Sequence, residues 1–581
     1  MKYPQLKTDG RSSTGAYKVT TRDTIQAFRG YDHNLRISDD EFFFTENVSL
    51  DLYPVLSQRH KRGILGSVYT ANGGIFAADR MCWINGRVLY YNGVAIKSDL
   101  RSDLVGVQRQ FAAMGAYIVI FPDKLWFNTS ASPITVSSLG ASYTTVGNTV
   151  YTLCDIDGNA YSATVNSAAP DSPANGDYWV DTSGSPHVLK QYSSTSSSWV
   201  TIPTTYVKLA ATGIGANFKD DDVVHFTNGY GDLADTDQQL YKCDTNYIIT
   251  TGIIDLTYTQ TTAVTIERKV PSLDYITESN NRLWGCSSAN HEIYACKLGD
   301  PTNWYCYQGL VSDSYAATIG SAGTFTGAAT LGNYVLFFKA DCMHKVYGSQ
   351  PSNYQVIEVT CRGVQGGSDK SLAVVNEVLY YLSRDGVVAY DGSLPYSVSK
   401  QFGQELYTEG VAGALNGKYY ICVKDSSDSY HLFVYDTEKG MWVREDDTQA
   451  KSFTYLDGDL YFTNGSNRMC CVKGSNGTLE DDFDWIVESG DIGLSLADQK
   501  YVTRIVMRME ISDSAKLYVS YDGGEYSLVE DIEAQGLDSV YVAIQPIRCD
   551  HMRIKLTGYR DFKLYSISKT IEQGSEINVR G

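Results

Sequence analysis

The sequence predicts an all-β protein built around a β-propeller, and three features of the chain lead to that prediction. Eight Asn-Gly and six Asp-Gly dipeptides are spread along its 581 residues, and such dipeptides favour the tight turns of β-hairpins. Between them lie short runs rich in β-branched and aromatic residues, such as 87–91 and 378–382, which are typical of strands. Paired runs recur about every 40 residues, a spacing that suits propeller blades.

Each repeat has a strand, a tight turn and a second strand that often ends in an aromatic residue. Units of this kind are found at 85–93, 115–128, 280–304, 332–348, 376–392, 416–442 and 457–472. Segments 63–140 and 266–479 together hold about 290 residues, enough for about seven blades of about 42 residues each. A set of unrelated hairpins in a sandwich is the alternative.

The predicted propeller is preceded by an N-terminal extended arm, residues 1–62. This segment is polar, with isolated apolar residues such as Phe42 and Val48. It cannot bury a core of its own, so we expect it to pack on the propeller or on a neighbouring molecule.

A small inserted β-domain is predicted at 141–265. The domain contains a linker at 168–173 and a serine-rich loop at 193–198. The residues around these two segments predict a three-stranded module. Trp179 and Trp199 are interpreted as the core of that module, because so small a module has few other large apolar side chains. A sugar-stacking pair is the alternative interpretation.

The last predicted domain, 480–581, is a C-terminal antiparallel β-sandwich. Apolar and polar residues alternate along 501–511, 517–524 and 551–557. Alternation with period two is typical of strands with one face on a core and the other in solvent.

The composition excludes several classes of protein. With 43% hydrophobic and 20% charged residues, the chain is not intrinsically disordered. The 48 Lys and Arg against 67 Asp and Glu give a net charge of −19, which disfavours coating of DNA or anionic lipid through a basic patch. No segment approaches the roughly 20 apolar residues of a membrane helix, and residues 1–5 do not begin a signal peptide, so no membrane anchor is predicted.

The twelve cysteines are scattered and form no C-x-x-C pair. Most lie inside strand-like runs, such as Cys422 in 419–423. We interpret them as buried, reduced thiols of a protein made in a cytosol. A disulfide framework or a structural zinc site is the alternative.

A search for catalytic motifs finds none that is complete. The chain has no nucleophile elbow, P-loop or dinucleotide-binding glycine motif, and the zincin-like pair His291-Glu292 is followed by Ala295 where the second ligand would stand. The acidic runs 220–222 and 480–484 could hold a hard cation but are expected to be solvated turns. The sequence therefore assigns no catalytic, cofactor-binding or metal-binding residues and no cofactor, and it predicts that the protein is not an enzyme.

Three sets of residues resemble one family of virus proteins. Phe28–Tyr31, Asn47–Ser49 and Tyr53–Arg59 resemble the opening of bacteriophage tail nozzle, or packaged-DNA stabilisation, proteins. Residues 281–285 together with 293–304 resemble a blade motif of phage tail and neck propellers. Residues 176–182 resemble small modules inserted in phage baseplate and fibre proteins.

The resemblance implies a structural virion protein of a phage tail, assembled in the host cytoplasm. Such a protein forms a ring, usually a hexamer, that extends the DNA channel, retains the packaged genome and takes part in DNA ejection. The implied partners are other copies of the chain, the portal, the adaptor, other tail proteins and DNA that passes without specific binding. Acidic walls would repel phosphate and suit that role. We expect the arm and the domain 480–581 to contribute to the subunit contacts.

Two other functions stay open. One is a tail-tip or baseplate adhesin that binds host surface glycan, for which aromatic and acidic residues exposed together on the insertion would be the distinguishing feature. The other is a glycan-cleaving propeller, which requires two carboxylates about 5–9.5 Å apart in a central cleft.

Overall fold

The structure is a computed structural model that describes residues 20–66, 72–495 and 499–573. It is 52% strand and 3% helix, and the prediction of an all-β protein with a β-propeller is confirmed. The chain forms two compact units. One runs from Ala71 to Val364, and the other joins the residues up to Thr70 with those from Gln365 onward. The domain boundaries proposed from the sequence stay predictions.

The described part of the N-terminal arm contributes five strands to other sheets. The first four join the C-terminal sheet, and the fifth pairs with Met469–Cys471 in a blade. Short strands without a core of their own are stabilised by a sheet that has one. The strands are β1 (Thr20–Ile25), β2 (Phe42–Glu46), β3 (Val48–Ser49), β4 (Leu56–Gln58) and β5 (Gly63–Leu65).

The unit from Ala71 to Val364 begins with two four-stranded antiparallel meanders, which are the first two blades. A 3₁₀ helix at Ser102–Leu104 separates them. The strands of the first are β6 (Asn72–Ala77), β7 (Met81–Asn85), β8 (Val88–Tyr91) and β9 (Val94–Lys97), and those of the second are β10 (Gln110–Met114), β11 (Tyr117–Phe121), β12 (Leu125–Asn128) and β13 (Ser137–Ser138).

The inserted domain follows and has two sheets. Eight strands form one sheet in the order β14-β25-β21-β22-β23-β20-β15-β24, and four form the other in chain order. The predicted three-stranded module thus has a fourth strand, β16, which pairs parallel to β17. The strands are β14 (Ser142–Thr144), β15 (Thr149–Cys154), β16 (Ala163–Asn166), β17 (Tyr178–Asp181), β18 (Val188–Ser193), β19 (Ser198–Thr201), β20 (Tyr206–Ala210), β21 (Val223–Thr227), β22 (Asp237–Asp244), β23 (Tyr247–Thr251), β24 (Tyr258–Gln260) and β25 (Thr265–Arg268), with a 3₁₀ helix at Gly231–Leu233.

Two further blades complete this unit. Both are four-stranded antiparallel meanders, and a 3₁₀ helix lies at Pro351–Asn353. Their strands are β26 (Tyr275–Ser279), β27 (Arg282–Ser287), β28 (Glu292–Ala295) and β29 (Tyr315–Thr318), then β30 (Gly327–Leu331), β31 (Tyr334–Phe338), β32 (Cys342–Tyr347) and β33 (Gln355–Thr360).

The other unit contains three blades, which brings the number in the described residues to seven. Short 3₁₀ helices lie at Asp369–Ser371 and Lys400–Phe402. In the last blade β5 stands between β44 and β45. The strands are β34 (Ala373–Val375), β35 (Val378–Ser383), β36 (Gly386–Tyr390), β37 (Tyr396–Ser397), β38 (Thr408–Leu415), β39 (Lys418–Lys424), β40 (Tyr430–Asp436), β41 (Met441–Asp446), β42 (Ala450–Leu456), β43 (Asp459–Asn464), β44 (Met469–Cys471) and β45 (Thr478–Leu479).

The C-terminal strands form a nine-stranded antiparallel sheet with the arm. Its main path is β2-β46-β49-β47-β50-β4-β3, while β1 pairs with β50 and β48 pairs with β47. The strands are β46 (Asp484–Ser489), β47 (Lys500–Tyr521), β48 (Ser527–Ala543), β49 (Met552–Tyr559) and β50 (Phe562–Gln573).

Several of the predicted hairpin turns have the expected backbone conformation. Both residues have positive φ in Asn92-Gly93, Asn416-Gly417, Asp457-Gly458 and Asp522-Gly523, as a type I′ turn requires. Each of these turns joins consecutive antiparallel strands. The dipeptides therefore set the hairpin register locally.

Buried ion pairs fix the arm in its own unit. The Arg62 guanidinium donates to Asp446 over 2.7 Å and to Glu445 over 2.6 Å, and Arg59 pairs with Glu480 and Asp446. These contacts join the arm to β41 and to the chain just beyond β45. They tie three segments that are remote in sequence.

The charge of Asp446 makes this network sensitive to pH. Burial alone would raise the pKa of Asp446, but Arg62 and Arg59 outweigh it and lower the pKa to about 2, against about 3.9 in an unfolded chain. A carboxyl group with a lowered folded-state pKa stabilises the fold above about pH 4, and the stabilisation is lost as the pH falls towards about 2. We expect Asp446→Asn to unfold at lower urea than the native chain at pH 6, and the difference to shrink by pH 3. A difference that is constant with pH would contradict this.

Candidate functional site

Two exposed tyrosines of the inserted domain form a stacked pair, which we call the tyrosine platform. The ring centroids of Tyr230 and Tyr258 lie 3.7 Å apart with an interplanar angle of 16°. Each residue is 38% exposed. Single exposed apolar side chains are common, whereas two exposed aromatic rings in contact are a candidate binding surface.

The platform rests on a buried third tyrosine. Tyr258 lies on β24, the edge strand of the eight-stranded sheet, directly opposite Tyr151 of β15. The Tyr151 ring is fully buried, and its centroid lies 5.7 Å from that of Tyr230 and 6.2 Å from that of Tyr258. Both exposed rings therefore pack on the buried ring of Tyr151, which we call the platform floor.

The loop that carries Tyr230 depends on its two flanking glycines. Gly231 has a φ of +60°, a conformation that glycine adopts without strain. A Cβ atom at Gly229 would lie 2.4 Å from the Leu233 carbonyl oxygen, so the loop closes only around glycine. Leu233 is buried and anchors the loop to the domain core.

Gln260 connects the platform floor to that loop. Its side-chain oxygen accepts a hydrogen bond from the Tyr151 hydroxyl over 3.1 Å, and its amide donates to the Asn228 carbonyl over 2.8 Å. Burial raises the pKa of Tyr151 to about 12, so the hydroxyl keeps its proton and donates it. A buried network of this kind fixes the position of the ring pair before a ligand arrives.

The surroundings of the platform are acidic. Asp232 and Asp235 are exposed in the Tyr230 loop, and Asp255 is exposed just before β24. Segments 228–236 and 255–262 contain no Lys or Arg, and the Asp255 carboxylate lies 2.7 Å from Nδ1 of His187. The local field therefore opposes an anionic ligand, while the carboxylates can accept hydrogen bonds from a neutral one.

The tryptophans singled out in the sequence are placed differently. Trp179 is buried, and its indole nitrogen donates to the Asn166 carbonyl over 2.9 Å. The Trp199 ring packs edge-on against the Trp179 ring, with 5.4 Å between the centroids. The Lys190 ammonium lies over the Trp179 ring, 4.9 Å from its centroid. These contacts support the core interpretation. The tyrosine platform lies elsewhere in the inserted domain, and it was not identified from the sequence.

The carboxylates of the acidic runs 220–222 and 480–484 contact different partners and do not converge on one site. Asp220 accepts from the Cys243 amide, Asp221 pairs with Lys297, and Asp222 is buried against Arg268 at 2.7 Å. In the other run, Glu480 pairs with Arg59, and Asp482 pairs with Lys61 and Arg560. Within the described residues, no group of three or more His, Cys, Asp or Glu side chains could hold a metal ion.

The unit that contains the arm has a polar cavity of about 210 Å³. Four carboxylates line it, and three of them are paired: Asp51 with Lys418, Asp436 with Lys439, and Glu445 with Arg62. Burial opposes the ionisation of Asp51, but hydrogen bonds from Lys418 and Ser49 outweigh it and lower the pKa. Asp51 is therefore ionised at neutral pH and does not suit the role of a general acid.

The cysteines are free thiols, and ten of the twelve are buried. Burial raises the pKa of Cys82, Cys296 and Cys422 to about 12. A buried thiol with a raised pKa is chemically inert. The interpretation of the cysteines as buried reduced thiols agrees with the structure.

No protein-family model matches the chain, and no curated protein matches it. Among solved structures, the chain is similar to an exo-β-1,3-galactanase from Phanerochaete chrysosporium with galactose, at 10% identity over 50% of this chain and 92% of that one, with a TM-score of 0.20. It is also similar to an engineered family 43 glycoside hydrolase with endo-xylanase and exo-arabinofuranosidase activity, at 8% identity over 51% and 95% of the chains, with a TM-score of 0.20. A Bacillus subtilis arabinoxylan arabinofuranohydrolase in complex with cellotetraose matches at 8% identity over 68% and 96%, with a TM-score of 0.14.

These comparisons correct two predictions made from the sequence. The predicted function, a structural ring protein of a phage tail, is contradicted because the similar structures are glycoside hydrolase propellers. The prediction that the protein is not an enzyme is contradicted by the same structures.

Among the described residues, no helix is long and apolar enough to cross a membrane.

Proposed function

We propose that this protein binds neutral carbohydrate through the tyrosine platform. The observation that carries the proposal is the stacked, exposed pair of Tyr230 and Tyr258 on a rigid floor. One face of a pyranose ring is lined by C–H groups, and such a face packs on an aromatic ring while the hydroxyls stay free for hydrogen bonds. Flat, amphipathic side chains with few rotamers to lose are well suited to this kind of contact.

The acidic surroundings narrow the class of ligand. Asp232 and Asp235 lie in the same loop as Tyr230, and their carboxylates accept hydrogen bonds from sugar hydroxyls. The same charges repel sialic acids, uronic acids and sulfated sugars. Neutral hexose or pentose oligosaccharides are therefore the expected ligands.

A binding screen of the full chain tests the proposal. Neutral oligosaccharides are compared with acidic oligosaccharides of similar length at low and at moderate salt. We expect binding to neutral members only, with little dependence on salt because the main contact is apolar. Equal or stronger binding of acidic members, or no neutral ligand in a broad panel, would overturn the proposal. An assay for new reducing ends in the same samples measures cleavage of the bound glycan separately.

A further inference from the structure

A serine and a histidine outside the inserted domain meet beside the blade formed by β30–β33. The Ser321 hydroxyl oxygen lies 2.8 Å from Nε2 of His344. His344 belongs to β32 and is buried, while Ser321 is half-buried in the loop between β29 and β30. A serine hydroxyl within hydrogen-bond distance of an imidazole nitrogen is the pairing of nucleophile and general base that acyl-transfer enzymes use.

Buried groups hold the loop that carries Ser321. Ile319 and Phe325, on either side of it, are buried in the same apolar cluster. The Lys339 ammonium donates to the Ser321 carbonyl oxygen over 2.6 Å, and Lys339 is itself buried. The position of Ser321 is therefore fixed before a substrate arrives, which lowers the cost of reaching a reactive geometry.

The residues that follow Ser321 leave both space and hydrogen-bond donors for a substrate. Ala322 and Gly323 are exposed, and a Cβ atom added at Gly323 would meet nothing within 4 Å. Within the described part of the chain, the amide N–H groups of Ala322 and Gly323 have no hydrogen-bond acceptor. Free amides directly after a nucleophile can bind the oxyanion of a tetrahedral intermediate.

His344 is suited to accept the serine proton. Burial lowers its pKa below the ordinary value, although Glu358, directly opposite on β33, acts to raise the pKa, and Lys339 lowers it. The imidazole is therefore neutral at neutral pH and can act as a base. The Glu358 carboxylate favours the imidazolium that forms once the proton has moved.

Cys342 is a second nucleophilic side chain close to His344. Its sulfur lies 3.9 Å from Nε2 of His344. Cys342 is buried, and burial raises the pKa of its thiol. The thiolate is the reactive form of cysteine, so a thiol that keeps its proton leaves Ser321 as the nucleophile.

We propose that Ser321 and His344 form a hydrolytic site for carboxylic esters. Ser321 Oγ bonds to the ester carbonyl carbon while its proton passes to His344 Nε2, and the alcohol leaves with that proton as the C–O bond breaks. Water then attacks the acyl carbon, its proton passes through His344 to Ser321 Oγ, and the carboxylic acid leaves. Residues 322–324 are exposed, so a long acyl chain would stay in water, and esters of short acids are the expected substrates. This site goes beyond carbohydrate binding and does not depend on it.

Covalent labelling of the full chain with a fluorophosphonate identifies the nucleophile. The reagent bonds to a serine oxygen that is activated by a base and releases fluoride, and peptide mass spectrometry locates the label. The label is expected on Ser321 and is expected to be lost in Ser321→Ala. Ser393→Ala is the matched control, since Ser393 is exposed and its hydroxyl donates to Asp391 and not to a histidine. An unlabelled native chain, or a label on Cys342 instead, would overturn the proposal.

Hydrolysis of p-nitrophenyl acetate measures turnover at the same site. Ser321→Ala is expected to lower kcat/KM at least about a hundredfold, the lower end of what a positioned acid or base contributes, while Ser393→Ala keeps the native value. Glu358 is exposed, and Glu358→Gln is expected to move the rise of kcat/KM with pH to lower pH, because Lys339 and Cys342 then face His344 without the carboxylate. Equal turnover by the native chain and Ser321→Ala, or an unmoved pH profile in Glu358→Gln, would contradict the proposal.

Discussion

Replacement of Arg62 by Ala is expected to lower the free energy of unfolding by about 3–5 kcal/mol, the range found when one member of a buried ion pair is removed. Arg62 is buried, and its guanidinium donates to Glu445, Asp446 and Thr448. Its loss leaves two buried carboxylates without their nearest cation. It also weakens the attachment of the arm to β41, which the contact of Arg59 with Asp446 then has to maintain.

Urea unfolding of the two proteins at neutral pH measures this effect. Arg468→Ala is the control, since Arg468 is exposed and surface substitutions usually change stability by about 0.5 kcal/mol or less. Limited proteolysis should cut the arm of the Arg62→Ala variant sooner than the arm of the control. A loss below about 1 kcal/mol for Arg62→Ala would show that the network is not a stabilising anchor.

The regular parts of the fold could be predicted because their signals are local. Asn416-Gly417 and Asp457-Gly458 give positive φ where a two-residue turn needs it, and the flanking runs alternate as strands do. The strand β5 (Gly63–Leu65) gave no such signal. It has three residues, and its place beside β44 depends on residues about 400 positions away, so only the folded chain shows the pairing.

The tyrosine platform could not be found from the sequence for the same reason. Tyr230 and Tyr258 belong to a chain with 44 tyrosines, and they lie on different segments that meet only in the folded sheet. The Gly229-Tyr230-Gly231 loop with its acidic neighbours was the available signal. From the sequence, Trp179 and Trp199 are the alternative sugar-stacking pair, although the small module needs at least Trp179 for its core.

The resemblance to phage nozzle proteins led to the wrong function because its motifs are structural, and one of them describes a propeller blade. Residues 281–285 form the turn into β27 and its first positions, and all six residues of that strand are buried. Such residues are selected by packing and recur on propellers with different functions. A fold carries many functions, so function has to be argued from the site.

The double variant Tyr230→Ala and Tyr258→Ala is expected to bind the preferred neutral oligosaccharide at least tenfold more weakly. An aromatic contact contributes about 0.5–1.5 kcal/mol beyond the area that it buries, and a loss of about 1.4 kcal/mol is a factor of ten in affinity. Both rings also contact Tyr151, so the unfolding curve of the double variant is recorded and the affinities are compared under conditions in which it is folded. Tyr396→Ala removes an exposed tyrosine of β37 and serves as the matched control.

Calorimetric titration of these three proteins with one oligosaccharide, chosen from the neutral members that bind the native chain, tests the central claim most directly. Carbohydrate binding at the platform predicts saturable binding by the native chain and the Tyr396→Ala control, with an affinity loss of tenfold or more confined to the double variant. Equal affinity in all three proteins would place the sugar elsewhere and contradict the assignment of the tyrosine platform.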